Sequence, residues 1–174
     1  MTSRERVTDR LRLRPAEPGG VEFLTRVHAA RGAGTADTRR VQTFVRDSEI
    51  WWRSHGYGVW VASWRDGGHP AAWCSLRPLR EPSEPELSYG VRAEDRGVGL
   101  ATEAAGGALA HAFALPHVRS VWAATTPAHA ASIRVMQKLG MICRRRTLLE
   151  GIDSVIYSID RGEFERRDRS LATR

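Results

Sequence analysis

Residues 93–105 read Ala93-Glu-Asp-Arg96-Gly97-Val98-Gly99-Leu100-Ala101-Thr102-Glu103-Ala-Ala105. Two spaced glycines, an arginine and a run of small residues are the types from which a phosphate site is made. Glycine lets the backbone approach a ligand closely, and the first N–H groups of a helix point outward without intrahelical partners. With the helix dipole and Arg96 adding positive potential, the chemistry expected here is capture of a phosphate or pyrophosphate. A plain tight turn uses the same residues, so the glycine pair leaves both readings open. Two other phosphate motifs are excluded: the dinucleotide fingerprint wants a third glycine where Thr102 stands and an early strand, and the P-loop wants Gly-Lys-Ser/Thr.

Such a turn works only if a strand delivers it and a helix follows it. Glu86 to Val91 reads as the strand. Gly97 to Ala114 reads as a helix whose face of Ala101, Ala104, Ala105, Ala108, Leu109 and Ala112 packs closely; Gly106 and Gly107 weaken it by about 1 kcal/mol each relative to alanine, which implies close approach to a sheet. Upstream, Asp9 to Arg14 alternates leucine and arginine, a strand ended by Pro15. Helical spacing follows over Gly19 to Ala30 and Thr38 to Ser54, and the turn-rich Arg65-Asp-Gly-Gly-His69 joins residues 57–64 and 70–79 as a hairpin. Val118 to Thr125 reads as a strand and Ala130 to Leu139 as a helix stopped by Gly140. A hairpin of 142–148 and 152–160 completes the order β-α-α-β-β-β-α-β-α-β-β, an α/β domain with a mixed sheet.

The 174 residues fit one domain, expected over 9–162, with an N-terminal tail of 1–8 and a charged, frayed tail of 163–174. No apolar run has the roughly 18 residues of a membrane span, and Met1 to Pro15 holds no signal-type apolar stretch. A soluble, cytoplasmic protein without membrane contact is expected. Cys74 and Cys143 are too few for a disulfide framework or a zinc site, and no metal is expected. The net charge of +7 attracts polyanions, but Lys138 is the single lysine among 27 basic residues, a bias that looks like codon usage rather than a selected nucleic-acid surface. An anionic small molecule or an acidic protein fits the same charge.

Arg96-x-x-Gly99-x-Ala101 resembles the acetyl-CoA motif of the GCN5-related N-acetyltransferase (GNAT) family. Glu86-Leu-Ser-Tyr-Gly-Val91, Thr8-Asp-Arg-Leu-Arg-Leu-Arg-Pro15, Pro127-Ala-His-Ala-Ala-Ser132 and Lys138-Leu-Gly-Met141 resemble its RimJ/RimL-type subgroup of ribosomal-protein N-terminal acetyltransferases. The resemblance spans about residues 8 to 160. It implies a single domain with a mostly antiparallel sheet, helices on both faces, and acetyl-CoA lodged where the strands at 86–91 and 118–125 splay apart.

Transfer of acetyl from a thioester to an amine needs a neutral amine, a stabilised oxyanion and a protonated thiolate leaving group. By resemblance, Glu86 is the expected base, directly or through water, and Ser132 the acid facing the sulfur. A solvated strand-end carboxylate and a helix-capping serine are the plainer readings. Outside the subgroup a tyrosine four residues later supplies the acid; here that position is Met136, which cannot. Val91, Arg96, Gly97, Val98, Gly99, Leu100, Ala101, Thr102 and His129 are expected to hold acetyl-CoA. His129 departs from the pattern's asparagine. Arg134 and Lys138, four apart, either reach phosphates or line a solvated face, and Trp51, Trp52, Trp60, Trp64 and Trp73 read as core and cleft wall. The acceptor amine is a protein N-terminus by subgroup resemblance. An aminoglycoside or other small amine, and a non-catalytic acyl-CoA-binding module, stand beside that reading, and a homodimer is allowed for.

Overall fold

The computed structural model describes residues 3–29, 37–79 and 81–172, with side chains to residue 167. Leu11 and Leu13 are fully buried while Arg12 and Arg14 face outward, so the alternation read from sequence becomes strand β2 (Leu11–Pro15), paired with a short β1 (Arg6–Val7). Helices α1 (Val21–Ala29) and α2 (Thr38–His55) follow. Ala30, the expected last residue of the first helix, lies outside the described residues. Asp37 caps α2 by accepting from the Arg39 N–H, and Gly56, at φ 74°, ends it in the left-handed region where glycine is favoured.

The remaining elements are β3 (Val59–Trp64), β4 (Pro70–Arg77), β5 (Glu86–Val91), α3 (Leu100–Ala114), β6 (Ser120–Thr125), α4 (Ala130–Lys138), β7 (Ile142–Leu149), β8 (Ile152–Asp160) and α5 (Arg161–Ala172). The strands form one sheet in the order β1-β2-β3-β4-β5-β6-β8-β7. Every pairing is antiparallel except β5 with β6, which run parallel and pair at one point, Glu86 opposite Trp122. Beyond that point the two strands separate, and a wedge opens in the middle of the sheet.

Each face of the sheet is covered. On one side Trp60, Ala62, Ala72, Cys74 and Leu76 pack with Leu100, Ala104, Ala105, Ala108 and Ala112 of α3 and with Met136 of α4. On the other, Val59 and Trp73 pack with Leu24 and Val27 of α1 and Val41 and Val45 of α2. The close approach inferred from the two mid-helix glycines holds at Gly107, where a Cβ would lie 3.1 Å from Leu13 and 3.3 Å from Thr8. At Gly106 the nearest side chain, Leu139, would be 3.7 Å away, an ordinary contact, so close packing does not explain that glycine.

The segment from residue 163, expected as a frayed tail, is helical instead. Arg161 donates to the carbonyls of Phe113, Leu115 and Val118, Asp160 caps the Glu163 N–H, and Phe164 stacks on Phe113 at 4.7 Å. The expected N-terminal tail likewise includes β1. Among the described residues no helix is long and apolar enough to cross a membrane.

Candidate active site

The glycine turn sits between β5 and α3 as the sequence implies. Gly97 and Gly99 adopt φ of 84° and 89°, and Gly99 caps α3 through its backbone alone. Space does not demand either glycine: a Cβ at 97 would meet nothing within 4 Å, and at 99 only the Arg10 guanidinium at 3.6 Å. Conformation demands them, because L-residues with side chains rarely adopt these angles.

Two networks hold the turn in place. Asp95, in the helical turn just before it, accepts from Arg92 Nε at 2.7 Å and Trp64 Nε1 at 3.1 Å. Burial works to raise the Asp95 pKa, but these bonds outweigh it and keep the carboxyl below its ordinary value. On the other flank Glu103 accepts from Thr8 Oγ1 at 2.6 Å and from Arg10 N and Nε, both at 2.7 Å; Arg10 also donates to the Val98 carbonyl at 2.9 Å. Burial again opposes ionisation of Glu103, and the three bonds again prevail, lowering its pKa.

The turn forms one wall of a cavity of about 460 Å³ on the α3–α4 side of the wedge. Of the residues expected at the cofactor, Val91, Arg96, Gly97, Gly99, Leu100, Ala101, Thr102 and His129 all line it, as does Ser132. Val98 does not: its side chain points away, 54% exposed, and only its carbonyl is engaged, by Arg10. Arg134 and Lys138 line the same cavity, so with Arg96 three cationic residues surround it. Helix-start N–H groups and cations around a concave mouth make an anion site.

Ser132 is the third residue of α4, and His129 is the N-cap, without a side-chain capping bond. The serine hydroxyl is therefore not a helix cap. It lies 3.0 Å from the hydroxyl of Tyr89, which also donates to the Ser132 carbonyl at 3.0 Å. Ser132 and Tyr89 are buried, yet both line the cavity. Met136 packs in the core with no exposure. Sequence reasoning missed Tyr89, whose place in strand alternation reads as a core aromatic; the available signal was that a buried tyrosine hydroxyl requires a partner.

Glu86 lies elsewhere. It lines a second, larger cavity of about 1220 Å³ on the α1–α2 side, together with Arg77, Trp122, Thr125, Thr126 and the β7–β8 hairpin residues Leu148 and Ile152. Its carboxylate accepts from Arg77 at 2.7 and 3.2 Å, with 13% of the side chain exposed. The structure thus keeps Glu86 and Ser132 in separate cavities. His129 lines both, and its Nδ1 lies 3.2 Å from Thr125 Oγ1.

Several known proteins share this architecture. A GnaT-family acetyltransferase structure from Bordetella pertussis superposes with a TM-score of 0.77 over 90% of this chain and 99% of its own, at 19% identity. The structure of RimL, a ribosomal alpha-N-protein acetyltransferase in complex with coenzyme A, gives a TM-score of 0.71 over 89% of this chain and 96% of its own, at 14% identity. In sequence, the uncharacterized protein YkkB of Bacillus subtilis is 28% identical over 143 residues, 78% of this chain and 83% of that protein. The family model of the acetyltransferase (GNAT) domain matches residues 10–142, from Arg10, which braces the glycine turn, to the start of β7. The chain belongs to the GNAT acetyltransferase family.

Proposed function

We propose that the protein is an acetyl-CoA-dependent N-acetyltransferase acting on a protein N-terminus, with the donor in the α3–α4 cavity and the acceptor amine in the α1–α2 cavity. The observation that carries this reading is the junction: β5 and β6 part beyond Glu86, and His129 borders both cavities there. The residues present suit the donor. Backbone N–H groups of 97–102 and the cations Arg96, Arg134 and Lys138 match its phosphates, while the separating edge of β5 at Gly90 and Val91 offers main-chain groups to an amide-bearing arm. RimL, which carries coenzyme A in a similar fold, supports the same donor and the same acceptor class.

Acetyl-CoA supplies a thioester, so that a C–N bond forms to the acceptor as the C–S bond breaks. Glu86, whose carboxylate lines the acceptor cavity beside Arg77, takes the amine proton, directly or through a water. Ser132 gives its hydroxyl proton to the departing sulfur, Tyr89 turns its O–H from the Ser132 carbonyl to replace that proton, and water entering as the thiol leaves returns a proton to Tyr89. His129 stands where the two cavities meet, its Nδ1 beside Thr125 Oγ1.

Thiol release from acetyl-CoA, followed with a short peptide carrying a free N-terminus, tests the reading. The wild type should turn over, and Glu86→Gln should lower kcat on the order of 10²-fold while leaving coenzyme A affinity nearly unchanged. Binding of acetyl-CoA without thiol release to any amine would replace the enzyme by a binding module.

A further inference from the structure

Behind Glu86, a third cavity of about 270 Å³ opens from the acceptor side, lined by His28, Arg40, Val41, Phe44, Trp73, Ser75, Arg77 and Ser88. It shares His28, Arg40, Val41 and Arg77 with the acceptor cavity. Its floor is sheet: Ser75 pairs with Ser88 and Arg77 with Glu86 across β4 and β5, so two hydroxyls and a guanidinium project from one face. Its walls are aromatic. Trp73 stacks on His28 with ring centroids 4.6 Å apart, and Phe44 stands edge-on to Trp73 at 6.1 Å.

The charges in this side cavity are one-sided. Asp37, Glu86 and Glu150 line the larger cavity, but none of the three lines the smaller one. Asp37 is engaged in capping α2, and Glu86 balances Arg77. That leaves Arg40, exposed at the cavity rim in the first turn of α2, without an ion-pair partner among the described residues; there the helix dipole adds to its field. Among the described residues the lining carries one net positive charge, two hydroxyl donors and aromatic walls, which suit a singly charged, planar anion. A guanidinium binds a carboxylate of that kind through paired N–H donors. A second cation, such as the distal end of a polyamine, would meet Arg40 and Arg77 instead.

We infer that the acceptor is a polypeptide N-terminus with an acidic residue next to the amine, its carboxylate held by Arg40 in the cavity over Ser75 and Ser88. The inference rests on the acetyltransferase reading for the amine but makes a separate claim about binding. Two tripeptide amides, Ser-Glu-Gly and Ser-Gln-Gly, differ only in carboxylate against carboxamide. Each is titrated calorimetrically into protein saturated with coenzyme A, and each is assayed for thiol release from acetyl-CoA. A charge-assisted hydrogen bond from an arginine at the cavity rim predicts a preference of about fivefold for the acidic peptide in Kd and in KM. Arg40→Gln should reduce that ratio to about twofold or less, and Arg40→Lys should retain part of it; coenzyme A affinity in the same titrations reports that the variants are folded.

Equal affinities for the two peptides, including no measurable binding of either, would overturn the inference, as would a preference that survives Arg40→Gln. The two readings fail differently. Preferential binding without thiol release keeps the acidic subsite and removes the transferase. Equal thiol release from both peptides keeps the transferase and removes the subsite.

Discussion

Ser132 and Tyr89 form the pair on which the proposed proton delivery depends. Their hydroxyls are 3.0 Å apart in a cavity wall, and neither residue is more than 8% exposed. If they act as one relay, their removal is not additive. Ser132→Ala and Tyr89→Phe should each lower kcat by about 10²-fold, and the double variant should be little worse than either single one. A fully multiplicative loss would mean two independent roles. The serine was legible before the fold because it stands in a recognisable motif, whereas Tyr89 reads from its alternation as packing. Only the tertiary fold, which brings the start of α4 beside β5, makes the two partners, and a contact 43 residues apart in sequence has no local signature.

At the scale of elements, the glycine turn owes its shape to the β1–β2 connection almost ninety residues upstream. Arg10 and Thr8 converge on Glu103 in the first turn of α3, and Arg10 also holds the Val98 carbonyl. Arg10→Ala should therefore weaken coenzyme A binding several-fold, because the N–H groups of the turn lose their fixed aim. Gly99→Ala tests the same element through conformation: at φ 89° the alanine costs roughly 1–2 kcal/mol of backbone strain, although the space around it is open. Calorimetric titration of coenzyme A reads both. Glycine spacing, small-residue periodicity and alternating leucines announced the turn, α3 and β2. They did not announce β1, two residues long, or α5, in which Phe164 is the only large apolar residue before Leu171. That last helix is fixed by Arg161 reaching three carbonyls at the end of α3 and beyond it, a tertiary bond that hydrophobic periodicity does not contain.

Taken whole, the molecule carries a buried histidine that the proposed chemistry does not use. His111 of α3 is fully buried between Trp52 and Trp60, donates from Nε2 to the Gly56 carbonyl at 2.6 Å, and has no partner for Nδ1 among the described residues. Burial lowers its pKa, against the raising effect of the Gly56 bond and with a further lowering by the charge of Arg6. The neutral form belongs to the fold. The unfolded chain takes up the proton at an ordinary pKa of about 6.5, so stability is full above that pH and falls as the pH drops below it, until the folded form is protonated too. His55, lowered by burial and by His117, contributes in the same direction. Urea unfolding between pH 7 and 5, above the range where carboxylates titrate, should show this decline. His111→Gln, which keeps a donor for Gly56, should flatten part of it; an unchanged slope would place the sensitivity elsewhere.

In the proposed reaction, donor and acceptor occupy opposite sides of the β5–β6 wedge and meet at His129. A crystal structure with coenzyme A bound tests it most directly. The pyrophosphate should lie on the N–H groups of residues 97–102, the pantetheine arm along Gly90 and Val91, and the sulfur within hydrogen-bonding distance of Ser132 Oγ, facing the cavity that holds Glu86. Coenzyme A bound away from the glycine turn, or a sulfur directed away from Ser132 and closed off from Glu86, would contradict it.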